Sequence, residues 1–350
     1  MPLANLHLNY FEFLSNNLVN PEYIYIFRDP IRTELWWANT LLTVRTLLAL
    51  GSFISLAFNV FHVLILSKKE MRTLPVYTLM FAICLLDIIF FLAALPTLAP
   101  FAGPRCYISK SAAEAYLFIY GIGIMEASRR SAGWLAMFMA LYRVLSLKFP
   151  MSKSMQALSK PAVSLITIVL VLVMSTWLTL VVASGKRMLP TGYDYDCKGD
   201  MAFLKQPRYL LIQSTDDFNV FRTHVFLYFG FHSIPALIYA LMTVLLVKEL
   251  RKIAKRRRNL QNAAQNANTD AQNTTRIVTW ITVFFFITEI PNNVLNMYSN
   301  TEMVHDTAME LSSYIIYFLP MINSSAHVLF CYNMSTQYRD TVKILFTHQN

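Results

Sequence analysis

Apolar residues in this chain neither alternate with polar ones nor settle into a single stripe. They arrive in blocks of about 20, the length a helix needs to cross a hydrocarbon core of about 30 Å. Bounded by charge, seven blocks cover about 44–66, 74–98, 111–142, 161–183, 223–247, 277–299 and 310–331. Trp36 and Trp37 precede the first as interface aromatics. Pro161 opens the fourth, where a first helical turn tolerates it. Residues 67–73 form a short basic loop and 184–222 a long one. The fifth block runs into a basic stretch at 248–258 and then a Gln/Asn-rich linker. In the tail, Tyr338, Val342, Leu345 and Phe346 fall at helical spacing with Arg339, Asp340 and Lys343 off that face, which predicts a short helix lying on the membrane. The pattern predicts an all-α membrane protein. Segment 1–43 precedes a seven-transmembrane-helix bundle at 44–331, and a tail with the short amphipathic helix fills 332–350.

Composition sharpens this reading. The chain is 55% hydrophobic and 14% charged, against roughly 25% charged in soluble domains. Residues 1–40 mix Asn, Glu and Arg among aromatics and lack a basic start followed by a clean apolar run, so the first span is expected to act as an uncleaved address. No repeat of fixed period is visible, which argues against an inverted-repeat transporter.

Charge sets the expected orientation. Segments 67–73, 143–160, 248–276 and 332–350 hold 17 Lys and Arg against 4 Asp and Glu. The formal +10 is thus +13 on one side and −3 elsewhere, which predicts an N-terminus outside and a C-terminus inside. A basic loop between two spans suits lipid headgroups and a cytosolic protein better than nucleic acid. Of the four cysteines, Cys84 falls in the second span and Cys331 at the cytoplasmic end of the seventh. That leaves Cys106 and Cys197 on the oxidising side, which predicts a bridge between them, with two free thiols as the alternative. The N-x-S/T sites at Asn273, Asn323 and Asn333 fall in the membrane or the cytoplasm, so none is expected to carry glycan. No H-E-x-x-H, G-x-S-x-G or P-loop occurs, and neither an enzymatic activity nor a cofactor is expected.

The third block is unusual. Glu126, Arg129 and Arg130 lie within it and Arg143 closes it, among residues otherwise apolar enough for lipid. A charge at the bilayer centre costs about 2.5–3.5 kcal/mol on insertion scales, so these side chains must face the bundle interior and find partners. Glu126 can reach either arginine along the helix surface, but the two guanidiniums point about 100° apart and cannot both be satisfied by it. Asp87, with Asn59 and Asn323, forms a second polar constellation. Two readings stand for it: a switch that holds a sodium ion in one state, and a hydrogen-bonded structural knot.

Three strings carry a resemblance: Ala57 to Thr73 (AFNVFHVLILSKKEMRT), Arg129 to Arg143 (RRSAGWLAMFMALYR) and Ile322 to Lys343 (INSSAHVLFCYNMSTQYRDTVK). They resemble the nematode serpentine chemoreceptors of class W, a family similar to FMRFamide-type neuropeptide receptors and to rhodopsin-like G-protein-coupled receptors. The likeness covers about 44–347. It implies a multi-pass plasma-membrane receptor of sensory or neuronal cells that couples an extracellular peptide or small-molecule ligand to a heterotrimeric G protein. It also implies that Arg143, with Tyr142 beside it, meets the G protein, that Pro291 kinks the sixth span, and that Asn59, Asp87 and Asn323 form the polar network. By the family register Arg129 faces Glu289 beneath a ligand pocket, whose candidate residues are Glu126, Arg129, Arg130, Glu289, Asn292, Tyr314 and Tyr317. The chain departs from the rhodopsin-like pattern at Leu141, Glu289, Ser324 and His327, which stand where an acid, tryptophan, proline and tyrosine are usual. Cys106 also lies further from Arg143 than is typical. A channel or transporter is the alternative reading.

Overall fold

In a computed structural model the described residues are 34–69, 71, 75–98, 112–149, 152, 160–184, 186–192, 208–213, 218–259, 280, 283–284, 286–291, 294, 307–334 and 336–347. Five long helices come first: α1 (Glu34–Leu66), α2 (Pro75–Leu98), α3 (Ala112–Lys148), α4 (Pro161–Ser184) and α5 (Phe218–Asn259). Helical residues 286–291 of the sixth block are α6. Then follow α7 (Thr307–Met334) and α8 (Thr336–Thr347). Among the described residues α1, α2 and α4 contain stretches long and apolar enough to cross a membrane, at Thr43–Leu66, Pro75–Leu95 and Pro161–Val181.

Helices overrun the apolar blocks. α1 begins at Glu34, ahead of the block at 44, so Trp36 and Trp37 ride on the helix itself. α3 continues to Lys148 and α5 to Asn259, because Lys and Arg are good helix formers once the chain leaves lipid. The long loop at 184–222 departs from an all-α picture. Strand β1 (Lys186–Gly192) pairs antiparallel with β2 (Arg208–Gln213), Lys186 opposite Gln213, and the register slips between Pro190 and Gly192. Proline lacks the N–H that a regular ladder needs there. Blocks of apolar residues signal long helices, and a short two-stranded ribbon leaves no such mark.

α3 is the central helix and packs against α2, α4 and α5, while α1 leans on α2 and α7. α4 is peripheral. Its Leu165, Val169, Leu170, Val173 and Leu180 are more than half exposed, an apolar face suited to lipid, while Ser164, Val171, Ser175 and Leu178 form its buried stripe. At Gly51 of α1 an added Cβ would stand 2.9 Å from Met321 Sδ, so the Met321 side chain of α7 packs directly over the glycine.

The interior is layered. One apolar cluster joins Leu48, Phe90, Phe91, Ala94, Met125, Tyr314 and Met321. A larger one joins Ile65, Leu66, Leu79, Met80, Ile83, Leu135, Met139, Tyr239, Leu246 and Tyr338. Between them in sequence on each helix lie the buried polar groups Asn59, Asp87, Arg129 and Asn323. The tail helix does more than lie on a surface. Tyr338 is fully buried, with its hydroxyl 2.7 Å from His62 Nδ1 of α1, and Val342 packs on the core. Arg339 donates to the carbonyls of Asn333 and Tyr332, capping the end of α7 where the chain turns into α8.

Candidate functional site: a buried charge layer

Consecutive arginines on a helix cannot share a face, and α3 uses this. Arg129 turns toward α2 and α6. Its Nη1 stands 3.9 Å from Asp87 Oδ1, and its Nη2 pairs with Glu289 Oε1. Arg129, Asp87 and Glu289 are all buried, at 6%, 3% and 5% exposure. Charges so far from water persist only when paired and hydrogen-bonded, and one guanidinium serves two carboxylates from two helices. His327 of α7 lies within electrostatic reach of the same guanidinium.

Arg130 turns the other way. Its Nη1 donates to the Ser175 carbonyl and to Thr179 Oγ1, both at 3.1 Å, and Nη2 lies 4.0 Å from Glu126 one turn earlier. Thr179 in turn bonds the Ser175 carbonyl at 3.0 Å. Arg130 and Glu126 therefore meet at the seam between α3 and α4, away from the contacts of Arg129. The cause is the 100° step between successive helical residues.

Asn59, Asp87 and Asn323 do not meet directly. Ser324 links two of them: its hydroxyl accepts from Asn59 Nδ2 and donates to the Asp87 carboxylate. Asn59 Nδ2 also donates to the Ser55 carbonyl at 2.7 Å. Asn323 is buried beside this chain, and its Oδ1 has no hydrogen-bond partner among the described residues. A sodium ion at Asp87, one of the two readings of this constellation, would face a fixed positive charge, since the Arg129 guanidinium lies 3.9 Å from the carboxylate. Among the described residues no three His, Cys, Asp or Glu side chains are placed to hold a metal.

Tyr314 accepts a hydrogen bond from Arg45 Nε at 3.1 Å and packs in the cluster with Leu48 and Phe90, with Tyr317 against the same cluster. Both tyrosines thus serve the packing of α7 on α1 and α2. Pro291 lies on an exposed face of α6, while Asn292, Cys106 and Cys197 fall outside the described residues. Cys84 and Cys331 are free buried thiols, the latter 3.5 Å from Met80 Sδ.

At the far end of α3, Tyr142 turns to α4, its hydroxyl 2.8 Å from Thr167 Oγ1. Arg143 is half-buried, and its Nε and Nη2 have no hydrogen-bond partner among the described residues. Leu141 and Tyr142 precede it, and no Asp or Glu lies between Glu126 and Arg143 in the chain.

A further contact repairs a break in α5. Pro235 has no N–H to give the Phe231 carbonyl four residues back. The Trp134 indole of α3 takes that carbonyl at 3.2 Å. Sequence reasoning singled out none of Ser324, Thr179, Tyr338 or Trp134 as a site residue. The readable signals were small hydroxyls in otherwise apolar helices and an interior proline four residues after its orphaned carbonyl.

Residues 48–349 match the family described as Srw, serpentine type 7TM GPCR chemoreceptors, from within α1 through α8. No curated protein matches the chain.

Proposed function

The chain belongs to the serpentine type 7TM GPCR chemoreceptor family Srw, and we propose that it is a plasma-membrane receptor that turns binding of an extracellular peptide or small molecule into activation of a heterotrimeric G protein. In this reading the N-terminus is outside and the basic ends of α3 and α5 face the cytosol with α8, as the positive-inside balance of 17 to 4 favours.

One observation carries the reading. A single guanidinium on the central helix holds carboxylates of α2 and α6. Near its C-terminal end at Lys148 the same helix carries Arg143, whose Nε and Nη2 have no hydrogen-bond partner among the described residues. Arg129 is then the joint through which a ligand above the charge layer moves α6 relative to α3. Arg143 is the group that such a movement presents to the G protein. A ligand acts only through its differential affinity for the two arrangements, and moving a 1:99 equilibrium to 99:1 takes about 10⁴-fold.

The test is a screen of peptide and metabolite libraries on cells expressing the chain with a panel of G proteins, read by nucleotide exchange. An active compound should lose its signal in Arg143→Ala while still binding. Exchange that is unchanged in Arg143→Ala would refute the coupling role.

A channel or transporter is the competing reading, favoured by the same buried charges, since intramembrane ionisable groups also line ion paths. Purified protein in liposomes separates the two: flux without added G protein supports the path, and its absence alongside ligand-driven exchange supports the receptor.

A further inference from the structure

We propose that Arg129 is a tethered cation standing where a mobile sodium ion would otherwise sit at Asp87, so that the chain's stability is indifferent to sodium. The geometry is direct. Arg129 Nη1 faces Asp87 Oδ1 at 3.9 Å, and the other arm of the fork holds Glu289. The oxygens that could complete a sodium shell are Asn59 Oδ1, Asn323 Oδ1 and Asp87 Oδ2, all buried and without hydrogen-bond partners among the described residues. They are the right kind of donor for a hard cation. The site nevertheless does not fit one, because a sodium at Asp87 would lie beside a buried guanidinium that cannot give up its charge.

Attachment changes the behaviour of the cation. A free ion occupies its site according to bulk concentration, whereas a guanidinium fixed to α3 is always present and carries its own helix with it. The neutralising charge at Asp87 therefore moves when α3 moves. It also binds Glu289, a second carboxylate on another helix, which ties α2 to α6 without any diffusible ligand. Bulk sodium then cannot adjust the charge layer.

Thermal unfolding of the purified chain, followed by intrinsic tryptophan fluorescence in sodium chloride and in choline chloride at equal ionic strength, tests this without reference to any ligand or G protein. The native chain should unfold at the same temperature in both salts. The double variant R129Q/E289Q, which leaves Asp87 as the lone charge of the three, should unfold at a higher temperature in sodium than in choline. Adding Asp87→Asn to that pair should abolish the difference. Arg129→Lys, which keeps a tethered cation, should stay indifferent and guards against a double variant too unstable to purify. Sodium-selective stabilisation of the native chain that disappears in Asp87→Asn would overturn the proposal. So would a folded double variant with no sodium response, or a sodium response in Arg129→Lys.

Discussion

Arg129 and Arg130 are neighbours in the chain, yet their guanidiniums serve different seams: the first pairs with Glu289 of α6 and the second donates to Ser175 and Thr179 of α4. One helical step separates a candidate switch from a strut. α4 presents its apolar face outward and Arg130 ties its buried stripe to α3, so that side of α3 is held. The Arg129 side packs on α2 through apolar residues as well, but its link to α6 runs through the Arg129–Glu289 charge pair, and charge pairs rearrange when their geometry changes.

Neutralising Arg129 should leave Asp87 and Glu289 as buried carboxylates without their cation, and neutralising Glu289 should leave the guanidinium with only the more distant Asp87 at 3.9 Å. Breaking such a pair costs about 3–5 kcal/mol, so Arg129→Gln and Glu289→Gln should each sharply lower the unfolding temperature and the amount of chain at the cell surface. The charge swap R129E/E289R should recover only part of this, because Glu at 129 would face Asp87. Adding Asp87→Asn to the swap should recover more. Equal recovery with and without that third change would show that Asp87 does not share the guanidinium.

Arg130 makes a different prediction. Thr179→Val removes one acceptor of a charged donor and leaves the Ser175 carbonyl to share the load. A hydrogen bond to a charged group contributes about 1.5–3 kcal/mol. Thermal unfolding should show a loss of that order, while ligand-driven exchange per folded receptor stays unchanged. A selective loss of exchange would move Arg130 into the switch.

Much of this arrangement was legible in the chain because lipid enforces simple rules. Blocks of about 20 apolar residues predict spans, and among the described residues three of them, at Thr43–Leu66, Pro75–Leu95 and Pro161–Val181, are helices long and apolar enough to cross a membrane. The charges Arg129 and Arg130 inside the third block are buried, as charges in such a block must be. The divergence of Arg129 and Arg130 followed from helical pitch. What Arg130 meets did not follow, since Ser175 and Thr179 look like incidental hydroxyls in an apolar run. The contact between His62 and Tyr338 spans 276 residues of sequence separation. No periodicity reports a pairing of that range, and an amphipathic tail suggested lipid as its partner. The disulfide expected between Cys106 and Cys197 lies outside the described residues.

The Tyr338 contact should be what seats α8. Tyr338→Phe keeps the ring and removes the hydroxyl, leaving His62 Nδ1 without its partner at a cost of about 1–3 kcal/mol. Tyr338→Ala also empties a fully buried aromatic site and should cost about 3–5 kcal/mol. Spin labels on α1 and α8 should report a broadened distance in the alanine variant and little change in the phenylalanine one. Burial pushes the Tyr338 phenol well above the usual tyrosine range. In the unfolded chain it ionises near about 10. Its contribution is therefore complete below that pH and declines as alkali ionises the unfolded chain, and Tyr338→Phe should flatten the alkaline limb of a stability profile.

Ser324 stands between Asn59 and Asp87, at a position where the rhodopsin-like pattern has proline. Ser324→Ala should leave both neighbours short of a hydrogen bond and cost about 1–3 kcal/mol. In an Asp87→Asn background the same change should cost less, because the charged acceptor is already gone. A double-mutant cycle on unfolding temperature with no coupling would remove Ser324 from the charge layer.

The last relationship is between a proline and a tryptophan on different helices. Pro235 frees the Phe231 carbonyl within α5, and Trp134 of α3 donates to it. An unmade hydrogen bond to a buried carbonyl costs about 1–3 kcal/mol, and losing indole bulk adds to this, so Trp134→Phe should destabilise clearly. The cause of the loss can be isolated. Pro235→Ala restores the N–H that α5 itself would use, and the carbonyl then has a partner on its own helix. In that background Trp134→Phe should cost only its packing, leaving a positive coupling between the two positions in thermal unfolding. If the cost of Trp134→Phe is the same with proline or alanine at 235, the indole is held on α5 by packing alone, and the repair of the broken helix is not its role.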